Sequence, residues 1–199
     1  MALFVVLEGI DGSGKTSVAK TVHETLVAEG RDAVLTSEPT RTWLGEAVRR
    51  GIEEDTEPVT ESFLFLADRA AHTVHIREWL AAGKTVVCDR YTDSTLAYQG
   101  ARLEGRVPDP VGWLRALSAR VAIDPDLILL LRIPPRVGLE RIAARGKRVR
   151  FEEAAFLERV AALYDALARE NTRYRVLDAT RPLPEVTESA LRAMHEAAG

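Results

Sequence analysis

Residues 9–16 read GIDGSGKT, a match to the pattern G-x-x-x-x-G-K-[ST]. The chemistry explains the spacing. Gly9, Gly12 and Gly14 let the backbone turn tightly, so that successive N–H groups converge on phosphate oxygens. A helix starting at this point adds positive partial charge. Lys15 is placed to reach β- and γ-phosphates, and the Thr16 hydroxyl to ligate Mg²⁺. Ser13 and Ser17 belong to the same nucleotide-binding stretch. A second stretch, DRYTDSTLAYQG at 89–100, leaves an apolar run for one short turn crowded with charge and hydroxyls. Asp89, at a strand end, is suited to hold the metal directly or through water. Arg90 beside it offers a planar fork that grips a phosphate through two bonds.

Two further arginines, Arg49 and Arg69, lie on helical segments near strand ends and point to a second phosphorylated ligand facing the loop. Phe65 and Arg69 are spaced i,i+4, so one helix face carries both. Thr95 and Gln99 share that spacing, with Tyr98 between them. An aromatic ring stacks on a base, while Arg, Thr and Gln read a carbonyl and imide edge. After Asp89 the chain does not continue as Asp-x-x-Gly, and Asn-Lys-x-Asp does not occur, so a GTPase is not indicated. His72 and His75 read as a partly exposed helix face rather than a metal pair. Cys88, the one cysteine, reads as a small buried side chain closing a strand.

The elements that position these residues alternate. Apolar runs at 3–8, 32–37, 84–89, 125–133 and 173–178 read as strands. Helical patterns follow at 15–30, 42–52, 58–82, 110–121, 135–146, 151–171 and 183–198. That alternation predicts an α/β fold: three layers, a five-stranded parallel sheet between helices, of the P-loop NTPase kind. Ligands of such sheets sit at the carboxyl ends of strands. The 199 residues suit a single domain, with 46% apolar and 29% charged residues. A net charge of −3 gives no basic bias, which argues against a nucleic-acid polymer as partner. The start MALFVVLEG reads as a strand, not a signal peptide, and no run is long enough for a membrane span. A cytoplasmic location is expected.

The segments EGIDGSGKT, EPTRT, LFLADR, DRYTDSTLAYQG, PDLILLL and GLERIAARG occur in the order and spacing of thymidylate kinases, and the chain resembles the bacterial form of that family over essentially its whole length. The resemblance implies transfer of the γ-phosphoryl group of Mg-ATP to dTMP, in a homodimer. It implies that Arg90 and Arg49 hold the dTMP phosphate, Phe65 stacks on thymine, and Arg69 donates to a base carbonyl. Thr95 and Gln99 would face the other polar edge, and Tyr98 would crowd the 2′ position. Asp11 would accept the sugar 3′-hydroxyl, with Glu38 near the transferred phosphate or sugar. Arg141 would lie on the adenine ring, beside the turn at 178–183. Residues 144–153 would form a lid, in which Arg150 aligns best with the arginine that meets the transferred phosphoryl group, and Arg145 and Arg148 are alternatives. The variable loop positions hold Ile10, Asp11 and Ser13, so that charge must come from the lid. The catalytic set implied is Lys15, Arg90, Arg150 and Asp11.

One segment departs from the family. SEPTR at 37–41 stands where bacterial relatives commonly read Arg-Glu-Pro-Gly-Gly, so the loop loses two residues that reach positive φ easily. Arg41 is a candidate to restore the missing charge. Three rival functions share the phosphate loop: a deoxynucleoside kinase acting on thymidine, a kinase for another monophosphate, and a nucleotide-dependent binding protein without an acceptor. The first needs a carboxylate base rather than acceptor arginines; the last needs no base-reading set.

Overall fold

The computed structural model describes residues 2–144 and 151–198, with only the backbone of 151–153. Arg145, Arg148 and Arg150 therefore lie outside the described residues. Five strands, β1 (Phe4–Glu8), β2 (Ala33–Ser37), β3 (Thr85–Asp89), β4 (Leu127–Arg132) and β5 (Tyr174–Asp178), form one parallel sheet in the order β2-β3-β1-β4-β5. The helices are α1 (Lys15–Ala28), α2 (Trp43–Glu53), α3 (Pro58–Ala81), α4 (Thr92–Leu103), α5 (Pro110–Ser118), α6 (Pro135–Ala143), α7 (Phe151–Glu170) and α8 (Leu183–Ala198). The sheet and its all-parallel sense are as the alternation predicts.

β1 is central and buried along its whole length. Its side chains alternate between two cores. Val5 and Leu7 join the larger one, with Val22 and Leu26 of α1, Leu129 and Leu131 of β4, and Tyr164 of α7. Phe4 and Val6 join a smaller one with Ile76 of α3, Val86, Cys88 and Tyr91. The register places Leu7 beside both Asp89 and Leu129. The loop after β1 and the end of β3 therefore open at one level, where strand order switches around β1.

Two elements differ from the sequence reading. Residues 92–103 form a twelve-residue helix rather than a short turn. Its period is hidden because Ser94, Thr95, Leu96, Ala97, Gln99, Gly100, Ala101 and Leu103 are all buried, leaving almost no polar outer face to mark the helix. His72 is not on an exposed face: it is 4% exposed and hydrogen-bonded on both ring nitrogens, while His75 is exposed beside Glu78. The 37–41 loop needs no positive φ. It carries a cis Glu38–Pro39 bond, and Thr40 is pinned by Asp68, which accepts from the Thr40 N–H at 2.7 Å and from its hydroxyl at 2.5 Å. Arg41 is exposed.

Candidate active site

The loop between β1 and α1 is the first wall. Gly12 has φ +82, and a Cβ there would sit 2.4 Å from the carbonyl oxygen of Gly138 on α6, so both the conformation and the contact require glycine. Gly14, also left-handed, leads into α1, whose first residue is Lys15. The Lys15 ammonium is buried and donates to the Ile10 carbonyl at 2.9 Å and to Ser13 Oγ at 3.3 Å. Burial first, and then the nearby Arg90 charge, lowers its pKa from the ordinary lysine range to about 7. Ser17 is exposed one residue beyond Thr16.

The second wall is the end of β3. Thr16 Oγ1 donates to Asp89 Oδ2 at 2.5 Å, while Asp89 Oδ1 is buried without a hydrogen-bond partner. A hydroxyl and a half-satisfied carboxylate at a phosphate loop fit Mg²⁺, which takes few protein ligands and completes its shell with phosphate oxygens and water. Among the described residues no cluster of three or more His, Cys, Asp or Glu side chains is placed to hold a metal alone.

Arg90 bridges the two walls. Its φ of +70 is unusual for a side chain of this size. From there the guanidinium reaches Asp11 Oδ1 at 2.5 Å and Ser94 Oγ at 3.2 Å, and lies 5.1 Å over the Tyr98 ring. The Tyr98 hydroxyl accepts from the Asp11 N–H at 2.9 Å. Burial raises the Tyr98 pKa, so this hydroxyl stays neutral.

A cavity of about 340 Å³ opens beyond Arg90, walled by Asp11, Pro39, Glu61, Phe65, Tyr98 and Gln99 among others. Phe65 and Gln99 thus share one cavity with Asp11 and Arg90. Gln99 is 4% exposed and its Oε1 has no partner. Arg69, one turn beyond Phe65, is fully buried. It donates to Glu38 Oε2 through Nε at 2.9 Å and Nη2 at 2.7 Å, and to Tyr91 O and Thr95 Oγ1; Nη1 has no partner. Arg69 and Thr95 are both fully buried, and neither lines the cavity. Glu38 is likewise enclosed, its oxygens taken by Arg69 and His72. Arg49 reaches the loop from α2, donating to Thr40 O at 2.8 Å and Pro39 O at 3.3 Å. Arg141 spans the other side, from Gly12 O at 3.3 Å to Ala179 O at 3.0 Å, so it joins the phosphate loop to the 178–183 turn.

Three enclosing residues escaped the sequence reading. Glu8, fully buried at the end of β1, accepts from the N–H groups of Tyr91 and Ser94 and from the hydroxyls of Ser94 and Tyr164. Burial raises its pKa. Asp68 and Glu61 on α3 anchor Thr40 and Gln99. A carboxylate at an apolar position of a helix or strand was a signal for each, and Glu8 and Asp68 also stand in the segments EGIDGSGKT and LFLADR that carry the resemblance.

The family model for thymidylate kinase matches residues 7–190. The chain is 42% identical over 195 residues to a protein of Methanosarcina mazei named probable thymidylate kinase, covering 96% of this chain and 95% of that one. A protein of the same name from Methanospirillum hungatei is 42% identical over 194 residues, covering 96% and 93%. The thymidylate kinase of Thermomicrobium roseum is 45% identical over 202 residues, covering 97% and 94%. The first two relatives are archaeal, so the bacterial subtype is not singled out. The chain belongs to the thymidylate kinase family.

Proposed function

We propose that this chain transfers the γ-phosphoryl group of ATP to dTMP, giving ADP and dTDP. The observation that carries the reading is one cavity that Asp11 of the phosphate loop, Arg90, Phe65 and Gln99 line together. In this reading Arg90 and Asp11 meet the phosphate and sugar, and Phe65 and Gln99 meet the base. Gln99, on the cavity wall, has a buried Oε1 without a partner, which suits the ring N–H of thymine; Arg69 Nη1, buried, unpartnered and outside that wall, is the donor proposed for a carbonyl. Buried orphans of this kind are costly in an empty protein and are relieved by the right ligand.

In this reading Lys15 and the loop N–H groups hold the ATP phosphates, and Arg141 lies against the adenine. Arg49 and Arg90 hold the acceptor phosphate. Thr16 and Asp89 would hold Mg²⁺, which supplies charge neutralisation across the β- and γ-phosphates. An acceptor phosphate oxygen bonds to the γ-phosphorus as the bond to the β-bridging oxygen breaks. No protein base is required, since the attacking oxygen already carries negative charge. Glu38 acts through Arg69, and Thr95 supports the same guanidinium. Tyr98 crowds the sugar and Asp11 accepts from its 3′-hydroxyl. For a loop holding Ile10, Asp11 and Ser13 the remaining charge at the transferred group is assigned to Arg150, which lies outside the described residues.

We read 1–199 as one domain carrying both sites; of the expected lid, 144–153, residues 145–150 lie outside the described residues. A homodimer is part of this reading on the family resemblance, and the half-exposed Phe63 of α3 is an apolar side chain available to it. The substrates in this reading are small molecules, and a cytoplasmic location goes with it. No helix among the described residues is long and apolar enough to cross a membrane.

The test is ADP release from Mg-ATP with dTMP, dUMP, UMP, dCMP, AMP, GMP and thymidine offered in turn. Turnover strongest with dTMP is expected. Turnover with thymidine but not dTMP would move the chain to the nucleoside kinases, and ATP binding without acceptor-dependent turnover would make it a binding protein.

A further inference from the structure

Gln99 carries an ambiguity that no other cavity side chain has. Exchanging its amide oxygen and nitrogen leaves its shape unchanged but inverts what it offers a ligand. Something outside Gln99 must set the orientation. Its Nε2 donates to Glu61 Oε1 at 3.0 Å, and its Oε1 is buried without a partner. Glu61 is itself enclosed, with a side chain 1% exposed. Its second oxygen accepts from Arg102 Nη1 at 3.2 Å, and Arg102 Nη2 donates to Asp55 Oδ1 at 2.8 Å.

A carboxylate held by a guanidinium offers acceptors only. The NH₂ group of Gln99 must therefore turn toward Glu61, because the opposite orientation would bring two acceptors together in a buried site. What remains for the cavity is the carbonyl oxygen. An acceptor there pairs with a ring N–H. Thymine and uracil carry one at N3; cytosine presents a bare ring nitrogen at that position, so acceptor would meet acceptor.

We propose that Glu61 is a specificity-determining positioning residue: held by Arg102, it locks the Gln99 amide so that the site takes imide-bearing pyrimidine monophosphates and rejects cytosine. This rests on the dTMP reading given above. Glu61 touches no reacting atom in this scheme. Its effect is exclusion of the wrong base by an unpairable acceptor, a form of selectivity that apolar fit alone cannot supply.

The experiment measures kcat/KM for dTMP and dCMP, with ATP binding as the control for an intact fold. The wild type is expected to favour dTMP. In Glu61→Gln the restraint is lost, because the new amide can donate or accept. The dTMP:dCMP ratio should fall about tenfold or more while ATP binding is kept. The swap Glu61→Gln with Gln99→Glu should restore the ratio: position 99 again offers only acceptors, and the amide at 61 donates to it while its oxygen keeps Arg102. A ratio unchanged in Glu61→Gln, even with a lower overall rate, overturns the proposal. Should that variant lose ATP binding, the swap decides: a wild-type ratio supports the proposal and a collapsed one overturns it. A wild type with no preference for dTMP would instead sink the acceptor reading itself, and this proposal with it.

Discussion

Arg69 and Glu38 meet at 2.7 Å, with side chains only 1% and 2% exposed. The pair ties α3 to the loop after β2, and His72 secures the other Glu38 oxygen at 2.9 Å while its Nε2 meets Thr36 at 2.7 Å. Removing one partner leaves a charge buried alone. Glu38→Ala should therefore cost about 3–5 kcal/mol in urea unfolding. Glu38→Leu with Arg69→Met should cost much less than the two single changes summed, because neither charge is stranded.

Lys15 gives the nucleotide site a pH dependence. With its pKa lowered to about 7, the free protein loses this positive charge as pH rises through neutrality. Bound phosphates favour the charged form, so ATP binding must take up a proton above that point. ATP affinity should weaken between about pH 7.5 and pH 9, by at most about tenfold per unit. Calorimetry in buffers of different ionisation enthalpy should show net proton uptake near the upper end. Lys15→Met should bind ATP weakly and without that uptake.

The Thr16–Asp89 contact predicts how metal dependence fails. Asp89→Asn keeps the shape but removes the charge beside the phosphate loop. The Mg²⁺ concentration for half-maximal turnover should rise about 10- to 100-fold. Magnesium titrations at saturating ATP and dTMP would measure it.

Gly12 is pinned between loop and helix. Gly12→Ala adds a Cβ where Gly138 O already lies 2.4 Å away, at a φ of +82. Strain of about 1–3 kcal/mol is expected. The sharper effect should be on function: the thermal stabilisation given by Mg-ATP to the wild type should disappear in this variant.

The sheet was legible because five apolar runs alternate with helical patterns, and the phosphate loop because its glycines and Lys15 must stand where they do. Phe65 and Gln99 were legible as a set, and the structure brings them into one cavity. What the sequence hid is burial of polar residues. Helix α4 reads as a turn because it is enclosed on nearly every side, so no polar stripe marks its period. His72 reads as exposed because its partners, Glu38 and Thr36, are 34 and 36 residues away. Thr95 reads as a base contact by its spacing, yet its hydroxyl is turned to Arg69. Spacing tells which side chains share a face; it does not tell which of them a neighbouring guanidinium has already taken.

The most direct test of the central claim follows the phosphorus. ATP labelled at the γ-phosphate is incubated with the protein, Mg²⁺ and dTMP, and the products are separated. The account predicts label in the β-phosphate of dTDP, formed in step with ADP. Label only in free phosphate, or in dTMP made from added thymidine with none in dTDP, would contradict it.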